Sequence, residues 1–185
     1  MTNDPTVDFP FLSSFVPRID KNRHKLILTI FGSYSKGSTE RLEKICKFLQ
    51  SAGYKNAKLV KDYDFPIKEN NESDEEWFES KSKFWLNNSD VLFFIFFKDA
   101  DNTGVGSEFT TFTSNIDRIW RGVVFLEVKD YADSYPISAM ISSKIKRFEI
   151  QARQFKIKDD EELQNKILGT LPSFMKKLLD QISIR

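Results

Sequence analysis

The run Asp90-Val91-Leu92-Phe93-Phe94-Ile95-Phe96-Phe97 constrains this chain more than any other segment. Its apolar residues, Val91 to Phe97, show no polar alternation, which describes a strand covered on both faces. The run is far too short for a bilayer span, which takes about 20 residues, and no longer one exists, so no membrane association is expected. A strand buried on both sides needs helices above and below it.

The rest of the chain supplies that alternation. Lys25–Phe31 is a short apolar run ended by Gly32. Leu42, Ile45, Cys46 and Leu49 then recur at helical spacing. Ser38 or Thr39 is placed to cap that helix, Glu40 suits its positive end, and Gly53 closes it. Ala57–Val60 reads as a second strand and 61–73 as a polar loop. Ser73-Asp74-Glu75-Glu76 is a capping box that opens a helix to about Asn87, with Trp77, Phe84 and Trp85 along one side. A glycine-containing loop, Asp99 to Ser107, leads into a helix with Phe109, Phe112 and Ile116 inward. Val123–Val128 is a further strand, and Arg147–Phe155 alternates like a half-exposed edge strand. Asp159 to Ile182 is helical, turned inward through Leu163, Ile167, Leu171, Phe174, Leu178 and Ile182, with Gly169 and Pro172 breaking it in two.

This order predicts an α/β chain with three layers, α/β/α, around a mostly parallel five-stranded sheet of flavodoxin-like order. One domain over 23–185 is expected, its C-terminal helices at 159–182. An arm over 1–22 precedes it, carrying Phe9, Phe11, Leu12, Phe15 and Val16. The 18 Phe residues then read as core. The first 20 residues hold Asp4, Pro5 and Asp8 without an apolar run, unlike a secretory signal. With a single Cys, that points to a cytoplasmic protein.

Composition narrows the chemistry. One His and one Cys exclude a disulfide, a Cys-ligated zinc and a His-rich metal centre, so no metal and no cofactor is expected. His24 precedes the first strand at its amino end, and Cys46 lies on an apolar stripe; both read as structural. The 28 Lys and Arg against 27 Asp and Glu give no general attraction to nucleic acid. The basic stretch from Lys144 to Lys158 is offset by Asp159–Glu162 and reads as a solvated face. Carboxylates, hydroxyls and lysines remain.

Two loops at strand carboxyl ends hold such groups, where ligands bind in open α/β sheets. In the first, Gly32, Ser33, Tyr34, Ser35, Lys36, Gly37 and Ser38 follow the first strand and open a helix. Its small residues let a ligand approach the backbone, free amides at the helix start suit an anion, and Lys36 adds charge. It matches neither G-x-x-x-x-G-K-[ST] nor G-x-G-x-x-G, and an ordinary turn has the same composition. In the second, Asp99, Asp101, Asn102, Gly104 and Gly106 lead to Glu108 in the first turn of a helix. A carboxylate there serves as nucleophile on a sugar carbon, as general base, or as ligand for a ribose hydroxyl. The helix dipole alone also favours an acid at that place. Glu108 comes too early after Asp99 and Asp101 for a calcium loop.

Together these loops resemble the nucleoside 2-deoxyribosyltransferase-like family over residues 25–128. The matching elements are Phe31-Gly32-Ser33-Tyr34, then Asn88-Ser89-Asp90-Val91-Leu92, then Asp101 through Glu108. The resemblance implies a flavodoxin-like sheet, with Glu108 attacking the anomeric carbon. It makes Tyr34 the positioner of that Glu and Asp101 or Asn102 the group assisting the base. It also implies homo-oligomers, dimers or larger, that complete each other's sites, with the arm and the C-terminal helices as candidate contacts. Where the family carries an Asp eight residues ahead of the central strand's leading Asp, this chain has Ser82, with Glu79 one turn away. Gly104-Val105-Gly106-Ser107-Glu108 is more weakly similar to the lysine-decarboxylase-like nucleotide phosphoribohydrolases, and the sheet to Toll/interleukin-receptor-like NAD-cleaving domains. The expected ligand is a nucleoside or nucleotide, whose glycosidic bond is hydrolysed or transferred. The rivals are a non-catalytic nucleotide-sensing or protein-interaction module and an NAD-cleaving signalling domain.

Overall fold

The computed structural model describes residues 23–131 and 137–183. The arm over 1–22 lies outside the described residues, as does the side chain of Ile182. Strands β1 (Ile27–Gly32), β2 (Asn56–Leu59), β3 (Val91–Phe96), β4 (Gly122–Val128) and β5 (Gln151–Lys156) form one sheet. Their order is β2-β1-β3-β4-β5 and every neighbouring pair is parallel. The helices are α1 (Ser38–Ser51), α2 (Asp74–Asn88), α3 (Thr103–Phe112), α4 (Ala139–Arg147) and α5 (Asp160–Ser183). None of the described helices is long and apolar enough to cross a membrane.

The central strand explains the layering. All of β3 is buried. Phe93, Ile95 and Phe97 pack with Leu42, Ile45 and Leu49 of α1 and Leu163, Ile167 and Leu171 of α5. Leu92, Phe94 and Phe96 pack on the opposite face with Leu86 of α2, Val105, Phe109 and Phe112 of α3, and Ile141 of α4. Phe94 stacks on Phe31 at 5.1 Å between centroids and meets Phe109 edge-on at 5.2 Å. Each ring so buried contributes roughly 2 kcal/mol or more. The Asp90 carboxylate accepts the Ile27 amide at 2.9 Å and fixes the start of β1 against β3.

Several local expectations need correction. Gly37, with φ 86°, is the N-cap of α1, and neither Ser38 nor Thr39 caps it with a side chain. Residues 103–107 are helix, so Glu108 stands in the second turn of α3 and no acid occupies its first. Glycine disfavours helix interiors by about 1 kcal/mol, which made Gly104 and Gly106 read as loop. The second of them sits in a tighter place, because a Cβ on Gly106 would come within 3.3 Å of Ile141. Ile116 is 70% exposed, in a 3-10 stretch over Ile116–Arg121. The segment Arg147–Ile150 is not strand: α4 ends there, and β5 begins at Gln151. The stretch that reads as basic and solvated begins inside α4, which turns Ile141 and Ile145 inward with Ile137 and Phe148 packed at its two ends. Helix α5 runs unbroken through Gly169, with Pro172 on its exposed side, where water can replace the lost hydrogen bond. Trp77 and Trp85 face a loop rather than the core: their indole N–H groups donate to the carbonyls of Pro66 and Phe65 at 2.8 and 2.7 Å.

Two polar devices secure the β4–β5 side. Glu127, 2% exposed, accepts Arg41 at 2.8 Å and the amides of Lys98 and Lys158 at 2.9 and 2.8 Å. On the outer rim of β5, Glu162 accepts the Lys156 amide at 2.8 Å and Lys166 donates to the Gln154 carbonyl. Glu162 and Lys166 also pair with each other at 2.7 Å.

Candidate functional site

All five strands end at one edge. The chain leaves β1 for α1 on one face, and leaves β3 for α3 on the other. The two loops diverge there and open a crevice between neighbouring strands. A cavity of about 320 Å³ lies in it, lined by Gly32, Ser33, Tyr34, Ser35, Phe78, Asp101, Gly104, Val105 and Glu108. That is the small end of the range for ligand pockets, roughly 300–1,000 Å³.

Each wall has a local cause. Gly32 ends β1 with its α-carbon pressed against α1, since a Cβ would sit 2.8 Å from Leu42. Ser33 is buried, and its hydroxyl accepts the Ser35 amide at 3.2 Å and donates to the Ser35 hydroxyl at 3.0 Å. Ser35 donates on to the Ser38 hydroxyl at 3.2 Å. The Ser35 carbonyl accepts the amides of Ser38 and Thr39, so those amides at the start of α1 are not open to an anion.

On the opposite wall α2 carries Phe78, Ser82 and Leu86 at four-residue spacing along its inward line. Ser82 is 5% exposed, and its hydroxyl donates to Glu108 Oε1 at 2.7 Å. Among the described residues nothing else hydrogen-bonds Glu108. Burial pushes the Glu108 carboxyl up from 4.5 to about 7, and the Ser82 hydrogen bond opposes the rise. Neutral pH therefore populates both its forms.

Tyr34 lines the same cavity, and its ring meets that of Phe78 edge-on at 5.7 Å between centroids. Its hydroxyl is buried beside the backbone of Lys61 and Val60 and makes no hydrogen bond to Glu108, so Ser82 and not Tyr34 holds Glu108. Burial first, then the neighbouring Glu108, pushes the Tyr34 phenol well above its ordinary range, against the backbone of Lys61 and Val60. Asp101 is exposed, and the hydroxyl and amide of Thr103 hold its carboxyl below the usual carboxylate range.

The structure thus brings together Gly32, Ser33, Tyr34, Asp101, Gly104 and Glu108. It does not bring in the others. Lys36 and Asp99 are exposed and off the cavity. Asn102 and Gly106 line a separate cavity of about 570 Å³ between α3 and α4. The Asn102 amide donates to the carbonyls of Phe97 and Ala100 at 2.6 and 3.2 Å and shapes the turn before α3. Two residues beyond the sequence expectations belong to the site: Phe78, and Ser82, which stands where the resembling family carries an acid. The signal for both was a small polar residue between Phe78 and Leu86 on one helical line. Among the described residues no three His, Cys, Asp or Glu side chains converge as a metal cage. His24 is exposed before β1, at the sheet's opposite edge. No protein-family model matches the chain, and no curated protein is similar to it.

Proposed function

We propose that the chain cleaves or transfers the N-glycosidic bond of a nucleoside, with Glu108 meeting the anomeric carbon. The observation that carries this reading is a carboxyl half-buried in a small cavity at the diverging loops, one oxygen held by Ser82. Breaking such a bond builds positive charge on the sugar. A carboxylate with little solvent around it stabilises that charge directly and can bond to the carbon. Neither a metal nor a thiol is required. The likeness of the two loops to the nucleoside 2-deoxyribosyltransferase-like family supports the same chemistry, and Tyr34 and Phe78 offer aromatic surface for a base. Among the described residues no Lys or Arg lines the cavity, which favours a nucleoside over its phosphorylated form.

The test is release of free base from ribo- and deoxyribonucleosides, nucleoside monophosphates and NAD, followed by chromatography. Release from at least one nucleoside is expected. Glu108→Gln should reduce it at least about a hundredfold, equivalent to about 2.7 kcal/mol of transition-state stabilisation. Release that survives Glu108→Gln would remove Glu108 from the role. Binding without release from any of them would leave a sensing module.

A further inference from the structure

Resting on the glycosidic reading, we propose that the preferred substrates are phosphate-free nucleosides whose base carries a fixed positive charge. N-alkylated purine and pyridinium nucleosides are the class. The cavity is lined by Glu108, Tyr34 and Phe78, with the exposed Asp101, whose carboxylate accepts the Thr103 amide at 3.0 Å, at its rim, and with no Lys or Arg among its described lining residues. Negative charge beside aromatic faces suits a cationic heterocycle, through Coulomb attraction and the ring quadrupoles.

The departure of the base points the same way. A neutral base leaves an N-glycosidic bond readily only when a proton reaches it. The Asp101 carboxyl is held in its ionised form by Thr103. The Tyr34 hydroxyl is buried and keeps its proton tightly. The hydroxyls of Ser33 and Ser35 are tied in a chain to Ser38. Glu108 cannot protonate the base while its carboxylate bonds to the sugar, and His24 lies at the other edge of the sheet. On α2, Lys81 is turned over the Trp77 ring at 3.7 Å. On α4, Lys144 donates to Thr110 and Thr113 near the far end of α3. Neither ammonium touches Glu108.

A base bearing a fixed positive charge needs no acid. The C1′–N bond breaks with its electron pair going to the ring nitrogen, which cancels the charge, and the base leaves neutral. A Glu108 oxygen forms the new bond to C1′. Water then attacks C1′, the carboxylate departs, the free sugar forms and one proton passes to solvent.

The experiment compares 7-methylguanosine and nicotinamide riboside with guanosine and with 7-methylguanosine 5′-monophosphate, using the full chain and chromatography of the released base. The expected result is kcat/KM for the two cationic nucleosides at least about a hundredfold above guanosine, and at least about tenfold above the monophosphate. With nicotinamide riboside, whose charge does not titrate, the rate should rise with pH to a plateau as Glu108 ionises near 7. Guanosine cleaved as fast as its methylated form would overturn this inference and leave the glycosidic reading in place. A rate that falls above neutrality would make Glu108 an acid and overturn it equally. Release from none of the four compounds, nor from the wider nucleoside set, would bring down both.

Discussion

Two glutamates stand at the same edge of the sheet and differ in what surrounds them. Glu127, at the end of β4, is saturated by one guanidinium and two amides. Glu108, over β1 and β3, has a single serine hydroxyl on one oxygen and lines a cavity. The first ties three segments together, at Arg41, Lys98 and Lys158, and has nothing left to offer a ligand. The second is held but not neutralised, which is how a group available for chemistry looks. Burial alone does not separate a structural acid from a reactive one; the number of donors facing it does.

The largest effect should come from removing the saturated member. Glu127→Ala leaves the Lys98 and Lys158 amides without their acceptor and Arg41 with Asp160 alone, and is expected to cost about 3–5 kcal/mol. In a chain of this size that lowers the melting temperature by about 6–20 °C. Glu108→Gln is expected to leave stability unchanged or improve it, since it removes a charge that burial disfavours. Urea unfolding of both variants reads the contrast, and equal losses would erase the distinction between the two acids.

A middle-sized effect sharpens the role of the lone donor. Ser82→Ala should raise the Glu108 pKa by about one unit above its value near 7, because the lost hydrogen bond favours the ionised form. Carboxyl carbon NMR reads the midpoint, with Glu108→Gln identifying the signal and Ser82→Thr restoring it. The sign for stability follows. The folded carboxyl lies above its unfolded value, so the folded chain holds the extra proton between about pH 4.5 and 7. Stability is therefore full below that window and falls as pH rises through it, and Glu108→Gln should flatten the fall. A midpoint indifferent to Ser82 would reduce that contact to packing.

The smallest effect separates the two glycines of α3. A Cβ on Gly104 meets nothing within 4 Å, so Gly104→Ala should stabilise the helix by about 0.5–1 kcal/mol while placing a methyl in the cavity. Binding at the site should weaken as stability improves. Gly106→Ala meets Ile141 at 3.3 Å and should gain less or nothing. Thermal unfolding of the pair, with ligand titration of the first, decides it.

Much of the fold could be read from the residues, because strand and helix periods dominate wherever apolar residues are dense. The unbroken run Val91–Phe97, the α1 stripe and the capping box at Ser73 all stand where their patterns put them. The failures have one physical root, tertiary contacts that override local preference. Gly106 sits in a helix because α4 packs over it, and Pro172 is tolerated because it faces water. The site was legible in part. Glu108 and Tyr34 do share a cavity. Sequence proximity could not show that Asn102 and Gly106 turn to the other side of α3, nor that Asp99 and Lys36 stay outside. The partner of Glu108 comes from 26 positions upstream on another helix, where chain order carries no signal of contact.

The Glu162–Lys166 pair on α5 bears on how these molecules behave in a crowd. Outer strands of open sheets recruit strands from other copies and so start aggregates. Here the outward Lys156 amide and Gln154 carbonyl already have partners from the chain's own last helix. A neighbouring copy would have to displace an ion pair before it could add a rung. That stretch of the rim is covered by the same helix that covers the core.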